Sequence, residues 1–135
     1  MLPDSHIHTN FSQDSSALPE TQIDQCLLLG MKELCITDHH DYEGDAKEDS
    51  FVLDFDAYLP YMRRLSRKYA DRIRINIGVE LGLQLHIQEY LEKLAQNLEV
   101  DFIIGSSHFI DKKDPYFPDF FEGKSEREVY EHYFE

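Results

Sequence analysis

The sequence predicts an α/β protein built on a parallel β-sheet. Four short runs rich in branched apolar residues alternate with segments of helical periodicity, and a His or Glu stands where each run stops. No internal repeat and no linker interrupts this order. Strands that alternate with helices call for right-handed crossovers and therefore for a parallel sheet. Four βα units make about half of a closed barrel, which typically takes roughly 250 residues.

The first two predicted strands enclose the first predicted helix. The opening strand begins at Asp4, and a polar loop, Ser12 to Ala17, follows it. Pro19 suits the first position of a helix, and Gly30 suits its C-terminal cap. The second strand is predicted over Lys32 to Thr37. The acidic stretch Asp38 to Ser50 is interpreted as a solvated loop.

The later elements have clearer signals. Asp54 or Asp56 can cap a long helix whose apolar stripe recurs at spacings of three and four. The members of this stripe are Tyr58, Met62, Leu65 and Tyr69. The remaining predicted elements are a strand at Ile73 to Leu81, a helix at about Leu85 to Leu98, a strand at Asp101 to Ser106, a loop at Lys112 to Gly123 and a helix opened by the capping box Ser125 to Glu128.

The length of the chain predicts one domain, but a half-barrel leaves its edge strands unpaired. The 135 residues are in the size range of one domain, so residues 1–135 are predicted to form a single domain. An open half would leave two parallel edge strands and an uncovered inner face. We therefore expect the chain to be the N-terminal portion of a larger fold that pairs with a C-terminal half, or to form a homo-oligomer.

The excess of acidic residues limits the kinds of molecule that the protein is expected to bind. The chain has 27 acidic and 13 basic residues, a formal net charge of −14. Such a surface repels phosphate backbones and anionic membranes, so no nucleic-acid or membrane partner is expected. Cys26 and Cys35 lie in apolar runs and form no Cys-x-x-Cys pair, and no run approaches 18 apolar residues. These features predict a soluble, cytoplasmic protein with reduced thiols.

The chemistry is concentrated in short segments at the predicted strand ends. His6 and His8 point to the same face if their segment is a strand. The carboxyl ends of parallel strands meet at one edge of a sheet, where ligands gather. The candidate metal ligands are therefore His6, His8, Asp14, His39, Glu80 and His108. A set of nitrogen and oxygen donors without thiolates suits Zn, Mn or Fe, and the spacing leaves the choice among them open.

The same segments carry a family resemblance. Asp-x-His-x-His at 4–8, Thr-Asp-His at 37–39, Gly-x-Glu at 78–80 and Ser-x-His at 106–108 resemble, in this order, the motifs of the PHP (polymerase and histidinol phosphatase) superfamily. The resemblance covers essentially all 135 residues. The stretches 77–84 and 104–116 are most similar to the histidinol-phosphate phosphatases of that superfamily.

The resemblance implies a distorted seven-stranded TIM-like (βα)7 barrel that binds up to three divalent metals in its mouth. It assigns His6, His8 and Glu80 to one metal, with Glu80 bridging to a second. It assigns His108 to the second metal, and Asp14 with His39 to the third. The later motifs of the family, a His in a middle strand and a closing Asp-x-His, have no counterpart in these residues, so each metal would lack a ligand.

The implied reaction is hydrolysis of a small phosphorylated substrate, histidinol phosphate, to histidinol and phosphate in histidine biosynthesis. Asp38, His39 and Glu80 are the expected catalytic residues, and Asp38 and Asp4 are expected to accept hydrogen bonds from ligand imidazoles. One alternative keeps the family and changes the substrate to phosphotyrosine or a nucleotide. Another is a non-catalytic metal-binding fragment that self-associates.

Overall fold

The computed structural model describes residues 3–42 and 51–134, which form a curved parallel sheet of five strands. The strands are β1 (Asp4–Ile7), β2 (Glu33–Ile36), β3 (His39–His40), β4 (Arg74–Gly82) and β5 (Phe102–Ser106). Strand β4 is central: β2 and then β3 pair along one side of it, and β5 pairs along the other. Strand β1 pairs with β2. The α/β class and the half-barrel arrangement are thus confirmed.

The helices begin and end with the signals that the sequence contains. They are α1 (Pro19–Leu28), α2 (Phe55–Tyr69), α3 (Gln88–Asn97) and α4 (Glu126–Tyr133). Pro19 is the first residue of α1, and Gly30, just past its end, has a φ of +76° that a residue with a side chain rarely adopts. The Asp54 carboxylate caps α2, and the predicted capping box of Ser125 and Glu128 opens α4. None of the described helices is long and apolar enough to cross a membrane.

Strand β4 separates the hydrophobic core from a polar inner face. Its outward residues Ile75, Ile77 and Val79 are buried in a core that also contains residues of α1, α2 and α3. The alternate residues point the other way, and Glu80 is one of them. Glu80 is nevertheless only 3% exposed, which places a carboxylate in a crowded part of the inner face.

The interpretation of Asp38 to Ser50 as a solvated loop is wrong for its first part. His39 and His40 form β3 and lie opposite Glu80 and Leu81 of β4. Asp38, His40 and Asp41 are buried, at 0%, 2% and 4% exposure. Residues 43–50 of this predicted loop lie outside the described residues. The acidic composition suggested solvent, but protein groups satisfy these side chains. Thr9 and Ser12 donate to Asp38, Leu53 N and the Tyr90 hydroxyl contact His40, and His39 and His108 face Asp41.

Smaller differences occur at the other ends of elements. The predicted helix from Leu85 begins as a 3-10 turn, Leu85–Ile87, before α3 starts at Gln88. The predicted loop from Lys112 to Gly123 contains another 3-10 turn, Pro118–Phe120. Neither difference moves a candidate site residue.

Candidate metal centre

Glu80 lies at the centre of a cluster of imidazoles. Near the end of β4, its Oε2 is 2.8 Å from Nε2 of His6 and 2.8 Å from Nε2 of His8. Its other oxygen, Oε1, is 2.9 Å from Nε2 of His108, which follows β5. Both carboxylate oxygens therefore face imidazole nitrogens, and these nitrogens come from segments on either side of β4.

His39 and Asp14 complete the cluster on the side of β1 and β3. Asp14 Oδ2 lies 2.8 Å from Nδ1 of His8 and 3.5 Å from Nε2 of His39. Nε2 of His39 also lies 3.7 Å from Glu80 Oε2. All six candidate ligands predicted from the sequence are thus brought together.

Donor atoms in three overlapping groups approach closely enough to share an ion. The groups are His6, His8 and Glu80; His8, Asp14 and His39; and His39, Glu80 and His108. Within each group the ligand atoms lie within 4.8 Å of one another. Imidazole nitrogens with carboxylate oxygens are donors that zinc, manganese and iron accept. The chemistry of the donors therefore fits divalent metals.

The imidazoles and carboxylates of the cluster shift one another's pKa values. Hydrogen bonds to Glu80 and Asp14 raise the pKa of His8 to about 9, although burial opposes the shift. Burial also lowers the pKa of His108, but its bonds to Asp41 and Glu80 outweigh this and raise the value to about 10. For Glu80, burial alone would raise the pKa, and the surrounding imidazoles instead hold it well below its ordinary range. Hydrogen bonds between protonated imidazoles and carboxylates thus hold the cluster together. A cation that binds the same nitrogens would displace these protons.

Asp38 has a different environment from the one expected. Its carboxylate accepts hydrogen bonds from Thr9 N and Oγ1 and from Ser12 Oγ, and no imidazole is among its described hydrogen-bond partners. Ser12 Oγ in turn accepts from His39 N at 2.8 Å. Burial raises the pKa of Asp38, and the hydrogen bonds from Thr9 and Ser12 partly offset that rise. Asp38 thus fixes the loop after β1 and, through Ser12, the backbone of His39.

Asp4 also differs from the expectation that it accepts from an imidazole. Its carboxylate accepts the backbone N–H of His6 at 3.0 Å. This contact shapes the backbone near the first ligand.

Asp41 is the carboxylate that the sequence interpretation missed. Its Oδ1 is 2.8 Å from Nδ1 of His108, and its Oδ2 is 3.3 Å from Nδ1 of His39. The available signal was its position two residues after His39. The acidic residues that follow it favoured an interpretation as solvated loop, and this concealed the signal.

A cavity of about 410 Å³ opens beside the cluster. Its wall includes His39 and His108 on one side, and Phe51, Asp114 and Tyr133 elsewhere. The lining combines aromatic side chains with imidazoles and carboxylates that converge on the cavity, so a small polar molecule could bind next to the cluster.

The family follows from a match along almost the whole chain. The family model of the PHP domain matches residues 4–135. The chain therefore belongs to the PHP domain family, which confirms the resemblance carried by its four motifs.

Individual relatives have one activity in their names. The chain is 30% identical over 107 residues to a histidinol-phosphatase of Lactococcus lactis, covering 79% of this chain and 39% of the relative. It is 32% identical over 137 residues to a probable histidinol-phosphatase of Clostridium acetobutylicum, covering 99% of this chain and 50% of the relative. The chain thus spans half or less of the length of these curated relatives.

Solved structures share the fold. A histidinol phosphate phosphatase from Lactococcus lactis, complexed with zinc, L-histidinol and phosphate, matches with a TM-score of 0.86 and 29% identity over 94% of this chain and 48% of that one. A putative histidinol phosphatase from Listeria monocytogenes matches with a TM-score of 0.66 and 21% identity over 79% of this chain and 45% of that one. Because the identity is only 21%, the match to the Listeria protein shows a shared fold and nothing more.

Proposed function

We propose that this chain provides the metal-binding part of a phosphomonoester hydrolase that acts on histidinol phosphate. The observation that carries the proposal is the convergence of three imidazoles on the two oxygens of Glu80, with His39 and Asp14 beside them. Four imidazoles, three of them half-buried, around two carboxylates exceed what a fold needs for stability. They match what a site for several divalent cations needs.

The residues divide among three cations, with His8 and His39, which each belong to two of the three donor groups, assigned to one cation each. We assign His6, His8 and Glu80 to one cation, His108 with Glu80 to a second, and Asp14 with His39 to a third. A divalent metal held by these residues would polarise a phosphoryl oxygen and lower the pKa of bound water. Glu80, held ionised by the surrounding imidazoles, provides the negative charge that keeps neighbouring cations together.

The cavity favours a substrate with a cationic organic group. Asp114 contributes a carboxylate to its wall, and Phe51 and Tyr133 contribute aromatic rings. Carboxylates and aromatic faces both attract ammonium or imidazolium groups. Histidinol phosphate combines such groups with a phosphate, and the Lactococcus relative was solved with L-histidinol and phosphate. Phosphotyrosine would place a neutral ring in the same cavity.

The open edges of the sheet indicate how the site is completed. In the described residues, β1 pairs only with β2 and β5 only with β4. We propose that further βα units of a barrel cover these edges in the whole protein and add ligands to each cation. The high TM-score against about half of the Lactococcus structure supports this arrangement.

Release of phosphate from histidinol phosphate, measured with Mn²⁺ or Zn²⁺, tests the function. We expect His8→Ala to lower turnover by on the order of 100-fold or more, since loss of groups that only orient ligands already costs about 10–100-fold. His86→Ala is the matched control, because His86 is exposed on the 3-10 turn before α3 and should leave turnover unchanged.

Each alternative gives a different result in this assay. Equal turnover in His8→Ala and the wild type would contradict the metal site. Preference for phosphotyrosine over histidinol phosphate would contradict the substrate. Metal binding without turnover would show that this chain lacks groups that the reaction needs.

A further inference from the structure

We propose that Asp41 is a positioning residue that orients His39 and His108 for metal binding, and that Gly82 provides the space for its carboxylate. This inference rests on the proposed metal-dependent function. It concerns two residues that lie outside the ligand set, Asp41 and Gly82.

The contacts of Asp41 divide between its two oxygens. Oδ1 accepts from Nδ1 of His108 at 2.8 Å, and Oδ2 faces Nδ1 of His39 at 3.3 Å. The two rings lie edge to face, with centroids 4.7 Å apart. One carboxylate therefore contacts two adjacent imidazoles from different elements: it is hydrogen-bonded to His108, and it lies at ion-pair distance from Nδ1 of His39, a buried atom that makes no hydrogen bond to the described residues.

Holding Nδ1 determines what the opposite nitrogen can do. An imidazole that donates its Nδ1–H to a carboxylate presents Nε2 as the free donor atom for a metal. Nε2 of His108 lies 2.9 Å from Glu80 Oε1, and Nε2 of His39 lies 3.5 Å from Asp14 Oδ2. The hydrogen bond to Asp41 thus directs Nε2 of His108 toward Glu80, and the same carboxylate, facing Nδ1 of His39, favours the orientation in which Nε2 of His39 points toward Asp14.

The backbone around Asp41 fixes the position of its carboxylate. Asp41 N donates to Phe51 O at 2.9 Å, and the preceding residue, His40, lies opposite Leu81 in the sheet. The His40 ring is held on both sides, because Nδ1 accepts from Leu53 N and Nε2 lies 2.8 Å from the Tyr90 hydroxyl. The Asp41 side chain is 3% exposed, so it has little freedom to adopt another rotamer.

Gly82 is the last residue of β4, and its missing side chain is what makes room for Asp41. A Cβ at position 82 would overlap Asp41 Oδ1, the oxygen that holds His108, and would lie 2.9 Å from Asp41 Cγ. The strand cannot move away easily, because Gly82 is in register with Ser106 of β5 and Leu81 is in register with His40. Any side chain at position 82 must therefore displace the carboxylate.

Metal affinity measured by competition with a chromophoric chelator tests the role of Asp41. We expect Asp41→Asn to bind Zn²⁺ or Mn²⁺ about 10–100-fold more weakly, because an amide has only one acceptor oxygen for two imidazoles. Asp111→Asn is the matched control: Asp111 Oδ2 also faces an imidazole, Nε2 of His132 at 2.8 Å, and Asp111 is not in any of the three groups of candidate metal ligands. NMR of the metal-loaded protein should show a slowly exchanging Nδ1–H of His108 that Asp41→Asn loses.

A double-mutant cycle tests the role of Gly82 without metal. Gly82→Ala should lower the unfolding midpoint by several degrees in the wild type and by much less in an Asp41→Ala background, where the space is free. Gly105→Ala on β5 is the control, since its Cβ would meet only the end of the Leu83 side chain, at 3.0 Å.

The outcomes separate this inference from the proposed function. Unchanged affinity in Asp41→Asn, or equal effects of Gly82→Ala in both backgrounds, would overturn the role of that residue alone. A wild-type chain that binds no metal would overturn the proposed function and, with it, the role of Asp41. The double-mutant cycle would still decide the packing of Gly82 against Asp41.

Discussion

Tyr58 shows how a single side chain connects the core to the site. It is fully buried on α2, and its hydroxyl lies 3.1 Å from Ile36 O of β2 and 2.9 Å from Gly78 O of β4. Ile36 lies three residues before His39, and Gly78 lies two residues before Glu80, so both carbonyls are close in sequence to candidate ligands. Burial raises the pKa of the Tyr58 hydroxyl well above its ordinary value, so this group remains a donor throughout the neutral range.

Replacing Tyr58 with Phe should therefore lower the free energy of unfolding by about 1–3 kcal/mol, because two buried carbonyls lose their shared donor. Urea unfolding measures the change. Tyr116→Phe is the control, since Tyr116 is 85% exposed and its hydroxyl can bond to water. An equal effect of the two substitutions would show that the Tyr58 hydroxyl does not stabilise the strand ends.

The candidate ligands could be predicted residue by residue because each stands in a local pattern. His6 and His8 stand two residues apart at the end of β1, and Glu80 follows Gly-Val at the end of an alternating run. The structure brings these predicted residues together. Asp41 was missed although it stands two residues after His39, because its other contacts, His108 and Gly82, are distant in sequence and only the sheet register brings them near it.

Among the elements, β3 was the hardest to predict. It has two residues, His39 and His40, so no alternation can reveal it. It pairs because β4 is nine residues long and extends past the end of β2, leaving Glu80 and Leu81 free to accept a partner. By contrast, α2 could be predicted from the sequence because its stripe of four buried residues repeats with helical spacing.

Helix α2 should contribute much of the stability that holds β4 in place. Leu65 is 1% exposed in the core between α2 and the sheet. Leu65→Ala should lower the free energy of unfolding by about 2–5 kcal/mol, since it removes buried methyl groups and leaves a cavity. Leu28 is the last residue of α1 and is 78% exposed. Leu28→Ala should therefore change the free energy of unfolding by less than about 0.5 kcal/mol.

Urea unfolding with an unchanged m-value checks both substitutions. Similar midpoints for Leu65→Ala and Leu28→Ala would mean that α2 is not tightly packed on the sheet. Metal affinity measured on the same proteins would show whether loosening α2 also disturbs Glu80 at the end of β4.

At the scale of the whole molecule, the charge distribution is uneven. The chain carries a net charge of −14, yet four imidazoles that can be positively charged gather around Glu80. An overall negative potential attracts divalent cations toward the surface, and the imidazoles provide specific donors once the cation displaces their protons. The ligands span residues 6 to 108, so only the folded sheet brings them together.

Metal should therefore stabilise the folded state. A ligand that binds only the native protein adds about 2.7 kcal/mol at 100 times its Kd, which corresponds to a rise in unfolding midpoint on the order of 10 °C for a chain of this size. We expect Mn²⁺ to produce such a rise, EDTA to reverse it and His8→Ala to reduce it. Mg²⁺ at the same concentration screens the same net charge but prefers oxygen ligands and retains its water, so it should produce a much smaller shift. Equal shifts with Mn²⁺ and Mg²⁺ would indicate general screening of an acidic surface, whereas a shift confined to Mn²⁺ and dependent on His8 would locate the binding at the imidazole cluster.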